Sequence, residues 1–360
     1  MDAVQPVISR LVLDGFSFDV ELLRALEDRG ARIVEVPVSF RYDSEPSTVA
    51  FLADSLRMVR DLVRVRVRSM AGIYRKDTSD RRPVHLVIHA DDYGLSPGIN
   101  RAIEQSLLAG SVTSTSLLVG SPHAAEAIAW AARHPQFDYG VHLNLTLGRP
   151  VLPRERVPSL LNREGRFLTL RKFLARLMSG RVRMTEVLAE WSAQVDVVRR
   201  AGVRVSHLDS HQHVHLAFPL FTRAMVPLAE RIDASVRTMD GPLRAPGCRL
   251  NLKGLLLALA TRISVRGKAR RLSAARGCGT TLMRRPSLGM LGGLVARASP
   301  GRAYELVVHP GYTDAALADS GDGYLSGREV EREILGSDEV RALLRLHALQ
   351  LVDFRGTAEP

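Results

Sequence analysis

Cysteine is scarce in this sequence, and its scarcity limits how the chain can be stabilised. Only two cysteines, Cys248 and Cys278, occur in 360 residues, and they stand in unrelated contexts. They give neither a disulfide framework nor a cysteine-based zinc motif, so the expected compartment is the reducing cytoplasm. No basic stretch followed by an apolar core opens the sequence, so no signal peptide is expected. The longest apolar run, at 252–260, is too short to span a bilayer.

Acidic residues are absent from one long stretch, and the net charge of +12 is correspondingly uneven. Residues 57–82 contain nine basic and three acidic side chains, and residues 262–285 contain eight basic and no acidic ones. Solvated surface is one interpretation, and attraction to an anionic membrane surface at the inner membrane face is the other. No recognised binding motif accompanies this charge, so nucleic acid is not an expected partner.

Two unlike patterns meet at a polar stretch at 75–83. Before it, apolar spacing predicts a helix at 19–30, a strand at 31–40 and a basic amphipathic helix from about Ser47 to Arg68. These elements predict a small N-terminal α/β segment over 1–78, in which no cluster of catalytic side chains occurs.

The motifs of this segment are DGFSFDVELL at 14–23, GARIVEVPVSFR at 30–41 and DSLRMVRDLVRVR at 54–66. They resemble the C-terminal end of family 2 glycosyltransferases of the dolichyl-phosphate mannose and glucose synthase type. That family's nucleotide-binding half has no counterpart here. The resemblance therefore implies a glycosyltransferase remnant or a late gene start, without sugar transfer of its own.

After the boundary, short apolar runs alternate with helical patterns over 84–360. Helices are predicted at 97–110, opened by Pro97, and at 122–134. The predicted strands lie at 84–90, 111–120, 139–145, 205–209 and 304–309. Such alternation indicates a parallel sheet covered by helices. No glycine-rich phosphate loop follows any strand, which favours a barrel over a nucleotide-binding open sheet.

Polar residues follow several of these strands, at the end where parallel α/β folds collect reactive groups. Asp91 and Asp92 follow the first strand, and two adjacent carboxylates repel unless a cation or proton lies between them. A helix cap or turn is the alternative for this pair. In the third strand, His142 and Asn144 share one face.

The segment from His207 to His215 has histidine at four of its nine positions. In an extended chain one face would carry every odd position, namely His207, Asp209, His211, His213 and His215. Alternate strand residues lie about 6.6 Å apart, whereas ligand atoms lie roughly 2.0–2.2 Å from a metal ion. One strand therefore supplies one or two ligands, and Asp92 and His142 are expected to supply the others. The donor types do not choose among Zn²⁺, Mn²⁺ and Fe²⁺.

The motifs HADDYGLSPGINRAI, SVTSTSLLVG, GVHLNLTLGRP, HLDSHQHVH and VVHPGY occur in order over about 84–357. In this order they resemble YdjC-like deacetylases, which include chitooligosaccharide deacetylases. The resemblance implies a distorted (β/α) barrel of the YdjC/NodB-like type. It also implies that Asp92, His142 and His211 bind one divalent ion, Mg²⁺ or Zn²⁺. Asp91 would then be the catalytic base and His309 the acid.

Four further residues are candidates for substrate contact: Arg237, His213, His215 and Asn144. Arg237 is equally a candidate for orienting a carboxylate, and a surface arginine is its third interpretation.

The expected reaction is hydrolysis of the acetamide of an N-acetylated amino sugar, on an oligosaccharide or a glycolipid. The alternatives are a metal-dependent hydrolase of another amide or ester, and an inactive saccharide-binding module that partners a glycosyltransferase. A second copy of the chain and a peripheral membrane surface are further candidate partners.

Overall fold

In this computed structural model the chain divides into two compact units, Met1–Arg81 and Arg82–Pro360. The structure describes residues 8, 11–13, 17–28, 34, 51–70, 73–74, 83–239, 259, 261, 275–278, 301–325, 327–338, 340 and 349–357.

The first unit contains two helices, α1 (Phe18–Glu27) and α2 (Phe51–Met70), which confirm the two helices predicted there. The strand predicted at 31–40 lies, except for Val34, outside the described residues. Glu21 of α1 is buried, and its carboxylate accepts hydrogen bonds from the Leu13 amide at 2.8 Å and the Tyr74 hydroxyl at 2.6 Å. A buried carboxylate needs such partners, so Glu21 ties the segment before α1 and the segment after α2 to α1.

Helix α2 is amphipathic, with Asp61 and Val65 buried on one face. On the opposite face Val59, Val63 and Val67 are 58–60% exposed, with arginines between them. Contact of this basic, apolar face with an anionic membrane stays a prediction. No helix in the described part of the chain has the length and apolar character needed to cross a membrane.

The second unit is built on a parallel sheet whose neighbouring strands follow the order β5-β4-β3-β2-β1-β7-β6, with β8 paired to β1. A bridge between Thr238 and Arg276 joins the two ends of this order, so the sheet curls into the predicted distorted barrel. The strands are β1 (Val84–Tyr93), β2 (Ser114–Leu117), β3 (Asp138–Leu143), β4 (Val205–Ser210), β5 (Ser235–Val236), β6 (Arg276–Cys278), β7 (Ala303–Val308) and β8 (Leu349–Leu351).

Helices alternate with these strands: α3 (Pro97–Leu108), α4 (Ala124–Arg133), α5 (Leu170–Met178), α6 (Met184–Arg200), α7 (Val226–Ile232), α8 (Ala315–Asp319) and α9 (Gly327–Gly336). The start of α3 matches its prediction, because Pro97 is the first helical residue and the Ser96 hydroxyl accepts a hydrogen bond from the Ile99 amide. Gly110 has a φ of +68°, as expected beyond a helix end.

The interior of the barrel contains buried charged and polar groups as well as aliphatic side chains. His89 and Asp91 come from β1, Asp209 from β4 and Glu305 from β7, and all four are buried. Buried charges must be paired to be tolerated. These four buried groups and their pairing partners form the centre of the candidate functional site.

Candidate active site

Asp91 and Asp92, at the end of β1, both lie within the barrel. In a regular strand these neighbours would point to opposite faces. Asp92 instead has a φ of +67°, and the pairing of β1 with β2 shifts its register between Ala90 and Tyr93. This local irregularity leaves both carboxylates buried, with different partners. The left-handed conformation of Asp92 thus lets two adjacent carboxylates of one strand both be buried.

Asp92, His142 and His211 form one buried cluster, whose donor atoms all lie within 4.8 Å of one another. The Asp92 Oδ1 atom is 3.4 Å from His142 Nε2 and 3.1 Å from His211 Nδ1. An ion about 2.1 Å from two donors holds them roughly 3.0 Å apart in octahedral and roughly 3.4 Å apart in tetrahedral geometry. The two distances from Asp92 Oδ1 therefore match those between ligands of one divalent ion, and the two imidazole donors lie within 4.8 Å of each other.

The charged groups around the cluster shift the pKa values of Asp92 and His142. Burial alone would raise the pKa of Asp92, but the Arg328 guanidinium and hydrogen bonds with His142 and His211 hold it well below its usual value. Burial alone would lower the pKa of His142, but the Asp209 and Asp91 carboxylates raise it well above its usual value. These surroundings keep Asp92 ionised, and so available as a donor, and they favour positive charge on the His142 ring.

The Asp209 carboxylate contacts one nitrogen of the His142 ring. His142 Nδ1 lies 3.0 Å from Asp209 Oδ1, which leaves Nε2 facing Asp92. The Ser116 hydroxyl donates to the other Asp209 oxygen at 3.0 Å. A metal-binding histidine whose second nitrogen meets a carboxylate has a fixed tautomer and orientation.

Arg237 holds Asp91 in place. Its guanidinium donates to both Asp91 oxygens, at 2.7 and 2.9 Å. The same side chain lies 2.7 Å from Asp209 and 2.6 Å from Glu305, and it is fully buried. Burial alone would lower the pKa of Arg237, but the Asp209, Asp91 and Glu305 carboxylates together raise it well above its usual value. Of the interpretations left open for Arg237, this geometry matches the orienting role.

The groups His89, Asp91 and Asp209 also approach one another closely enough to hold an ion. Arg237 already bonds to both of these carboxylates. Arg237 thus occupies both Asp91 oxygens and one Asp209 oxygen. Arg328, by contrast, bonds to one oxygen of Asp92 and leaves Oδ1 facing the imidazoles. The Asp92 cluster is therefore the better candidate for a metal site.

We expect Arg237→Met to lower the free energy of unfolding by about 3–5 kcal/mol, because it leaves three buried carboxylates without their cation. Denaturant unfolding measures this difference. The matched control is Arg231→Met, at an exposed arginine that donates to the Ser192 hydroxyl. The control should change stability by less than about 0.5 kcal/mol. Equal effects of the two substitutions would show that Arg237 is not the counter-ion of the network.

The prediction that odd positions from His207 to His215 share one extended face is wrong beyond Ser210. Strand β4 ends there, and residues His211–Leu216 form a tight turn in which Gln212 and His213 have φ of +57° and +56°. Only His211 of this run joins the cluster of metal donors.

The other histidines of this run are buried elsewhere. His207 stacks on Phe354, with ring centroids 4.1 Å apart. Burial lowers the pKa of His215 to about 4, and its Nδ1 lies 2.6 Å from the Ser210 hydroxyl. His213 is buried in the turn.

Asn144 shapes the loop after β3. Its side-chain oxygen accepts from the Thr146 and Leu147 amides, each at 3.0 Å. Substrate contact by Arg237, His213, His215 and Asn144 stays a prediction.

His309, at the end of β7, lies beside the proposed base, with Nε2 3.7 Å from Asp91 Oδ2. Two residues near it were not predicted from the sequence. Arg328 donates to Asp92 Oδ2 at 2.6 Å, and Glu331 accepts from the His309 amide at 2.5 Å. Their sequence context, SGREVERE, has the composition of an exposed helix and gives no signal of burial.

The second unit is a parallel α/β barrel in which two imidazoles and a carboxylate meet at the strand ends. This arrangement places it among barrel proteins that have a candidate metal centre. Comparison with known families is more specific, since residues 85–346 match the YdjC-like protein family. The chain belongs to the YdjC-like family, which confirms the resemblance carried by its motifs. The resemblance of the first unit to a glycosyltransferase tail stays a prediction.

Named relatives agree with this assignment. The carbohydrate deacetylase of Enterococcus faecalis is 31% identical over 277 residues, which cover 76% of this chain and 98% of that protein. The carbohydrate deacetylase of Halalkalibacterium halodurans is 37% identical over 153 residues, which cover 42% of this chain and 63% of that protein. A solved structure from Enterococcus faecalis, of a candidate cellobiose-phosphate cleavage protein, has 29% identity and a TM-score of 0.58. It covers 77% of this chain and 100% of its own.

Proposed function

We propose that the second unit hydrolyses the acetamide of an N-acetylated amino sugar and releases acetate in a metal-dependent reaction. The observation that carries the proposal is that the two adjacent aspartates of β1 have different partners. Asp92 faces two imidazoles, whereas Asp91 is anchored by Arg237 and faces His309. The names of the relatives support a carbohydrate as the substrate.

Asp92, His142 and His211 would hold the ion, which Mg²⁺ and Zn²⁺ both fit by donor type. When bound, such an ion polarises a carbonyl and lowers the pKa of water. The three side chains are buried and come from β1, from β3 and from the turn after β4. Their role is to fix the ion at the carboxyl ends of the strands.

Asp91 and His309 would move the protons. Asp91 accepts a proton from the attacking water, whose oxygen forms the new bond to the acetyl carbon. His309 donates a proton to the amide nitrogen as the carbon–nitrogen bond breaks, so the products are acetate and a free amine. The 3.7 Å between Asp91 Oδ2 and His309 Nε2 lets the two groups serve the same small reacting centre.

The alternatives are hydrolysis of another amide or ester, and binding of a saccharide without reaction. An acetyl ester needs the same polarised carbonyl and the same base, so hydrolysis of another amide or ester uses the same geometry. A saccharide-binding module would not need a carboxylate held by a buried arginine beside a separate metal cluster. We therefore favour an enzyme over a binding module, and an assay on both kinds of substrate separates amides from esters.

The test is release of acetate by the purified full chain loaded with Zn²⁺, Mg²⁺ or Mn²⁺. The substrates are N-acetylglucosamine oligomers, an N-acetylated glycolipid and an O-acetylated sugar. We expect acetate from an N-acetylated substrate, its loss on chelation and its return when metal is added back. The control is the metal-loaded Asp91→Asn protein, purified identically, which reports contaminating activity. Release from the ester alone would favour the alternative hydrolase, and release from none of the substrates would contradict the proposal.

A further inference from the structure

Helix α9 buries two oppositely charged side chains on the face that it turns toward the barrel. Arg328 and Glu331 are 1% and 3% exposed, and Leu335 continues the same face at 4%. The spacing of three and four residues places all three on one side of a helix. Glu329 and Glu333, on the other side, are exposed. Because buried charges are destabilising unless they are paired, the partners of Arg328 and Glu331 indicate what this face does.

Arg328 bonds to one oxygen of the Asp92 carboxylate, so the two oxygens of Asp92 have different partners. Its Nη2 donates to Asp92 Oδ2 at 2.6 Å and also to the Asp322 carboxylate, while its Nε donates to the Tyr324 carbonyl at 2.8 Å. The other oxygen, Oδ1, is the one that faces the two imidazoles of the metal cluster. A carboxylate with one oxygen held by a guanidinium cannot easily turn to present both oxygens to an ion.

Glu331, one turn further along the helix, holds the residue proposed as the acid. Its Oε2 accepts from the His309 amide at 2.5 Å and lies 3.9 Å from His309 Nδ1. Its Oε1 accepts from the Tyr324 hydroxyl at 2.5 Å, and the Tyr324 ring meets the His309 ring edge-on with centroids 5.6 Å apart. Glu331 therefore fixes both the backbone and the ring environment of His309.

We propose that α9 is a positioning element with two separable actions. Arg328 makes Asp92 a ligand through one oxygen, and Glu331 holds His309 in its place beside Asp91. Neither residue is assigned contact with substrate. This inference rests on the proposed function, and it adds two residues to it that act on different steps.

The test of the Arg328 action needs no substrate. The full chain is loaded with Co²⁺, whose visible absorption bands respond to the number and arrangement of its ligands. We expect Arg328→Met to shift the bands and change their intensity, because Asp92 then becomes free to bind through both oxygens. The matched control is Arg332→Met, on the same helix, whose guanidinium stacks on the Tyr312 ring at 4.6 Å. The control should keep the wild-type spectrum.

A second variant covers the outcome in which Arg328→Met does not fold. Asp322→Asn removes the other anion on the same guanidinium nitrogen, and its side chain is 11% exposed. It should alter the Co²⁺ bands in the same direction by a smaller amount. Wild-type spectra from every folded variant at these two positions would overturn the role of Arg328.

The Glu331 action is tested by splitting kcat from KM. We expect Glu331→Gln to lower kcat by about 10–100-fold, as loss of a carboxylate that orients a site residue typically does. KM and the Co²⁺ spectrum should stay unchanged, because the metal donors are not touched. A general loosening of α9 would instead move the spectrum in both Arg328→Met and Glu331→Gln, and that result would overturn the division into two actions.

These measurements separate the inference from the function on which it rests. A wild-type protein whose Co²⁺ spectrum is that of the free ion would contradict the metal site itself. A wild-type protein that binds Co²⁺ and releases acetate, with Arg328→Met identical to it, would overturn the positioning role alone.

Discussion

Asp91→Asn should lower kcat by about 10²–10⁴-fold, the range that a positioned general base contributes. Asparagine keeps the shape of the side chain but cannot accept the proton. Arg237 retains Asp209 and Glu305 as buried counter-ions at 2.7 and 2.6 Å, so the variant is expected to remain folded. Its metal content should equal that of the wild type, because the Asp92 cluster is unchanged. Turnover and metal stoichiometry, measured on the same sample, check both halves of this prediction.

The control for Asp91→Asn is Asp233→Asn, an aspartate just beyond α7 on the side of the barrel away from the strand carboxyl ends. It should leave kcat and metal content unchanged. Loss of metal from Asp91→Asn would make Asp91 a ligand and would reverse the roles given to the two acids. Full turnover with full metal would remove Asp91 from the reaction.

Much of the candidate metal cluster could be predicted from the sequence, because each possible donor lies at or just beyond the end of an apolar strand. Asp92 is the next-to-last residue of β1, His142 lies near the end of β3, and His211 follows β4. In a parallel sheet the carboxyl ends of strands share one edge, so residues far apart in the chain come together there. The alternation of strands and helices predicted the barrel for the same reason.

The local backbone at the site could not be predicted in this way. Alternation assumes an extended chain, but Asp92 and His213 have left-handed conformations that turn their neighbours toward new partners. Left-handed backbone is unfavourable for residues other than glycine, so the surrounding packing must impose it. A pattern of residue types along one strand does not contain that information.

The two residues of α9 were missed for a different reason. Arg328 and Asp92 are separated by 236 positions, and the helix around Arg328 is rich in charged residues. Such a helix normally faces solvent, and only the partner across the barrel makes burial of its arginine favourable. Pairing over this distance depends on the completed fold.

His142→Ala should remove stoichiometric metal and lower turnover on the order of 10³-fold or more, since the ion contributes several kcal/mol to lowering the barrier. Two donors, Asp92 and His211, would remain, and they do not enclose an ion. Asp209 loses its imidazole partner but keeps Arg237 at 2.7 Å and the Ser116 hydroxyl at 3.0 Å. No buried charge is left unpaired, so loss of metal should occur in a folded protein.

The matched control is His134→Ala. His134 lies before β3 begins, at the opposite end of that strand from His142, and its ring stacks on Trp130 with centroids 3.9 Å apart. This variant should keep wild-type metal content and turnover. Metal analysis, circular dichroism and acetate release on the two variants distinguish a lost ligand from a lost fold. A folded His142→Ala protein with full metal and full turnover would remove His142 from the site, and the two-histidine, one-carboxylate centre would then be wrong.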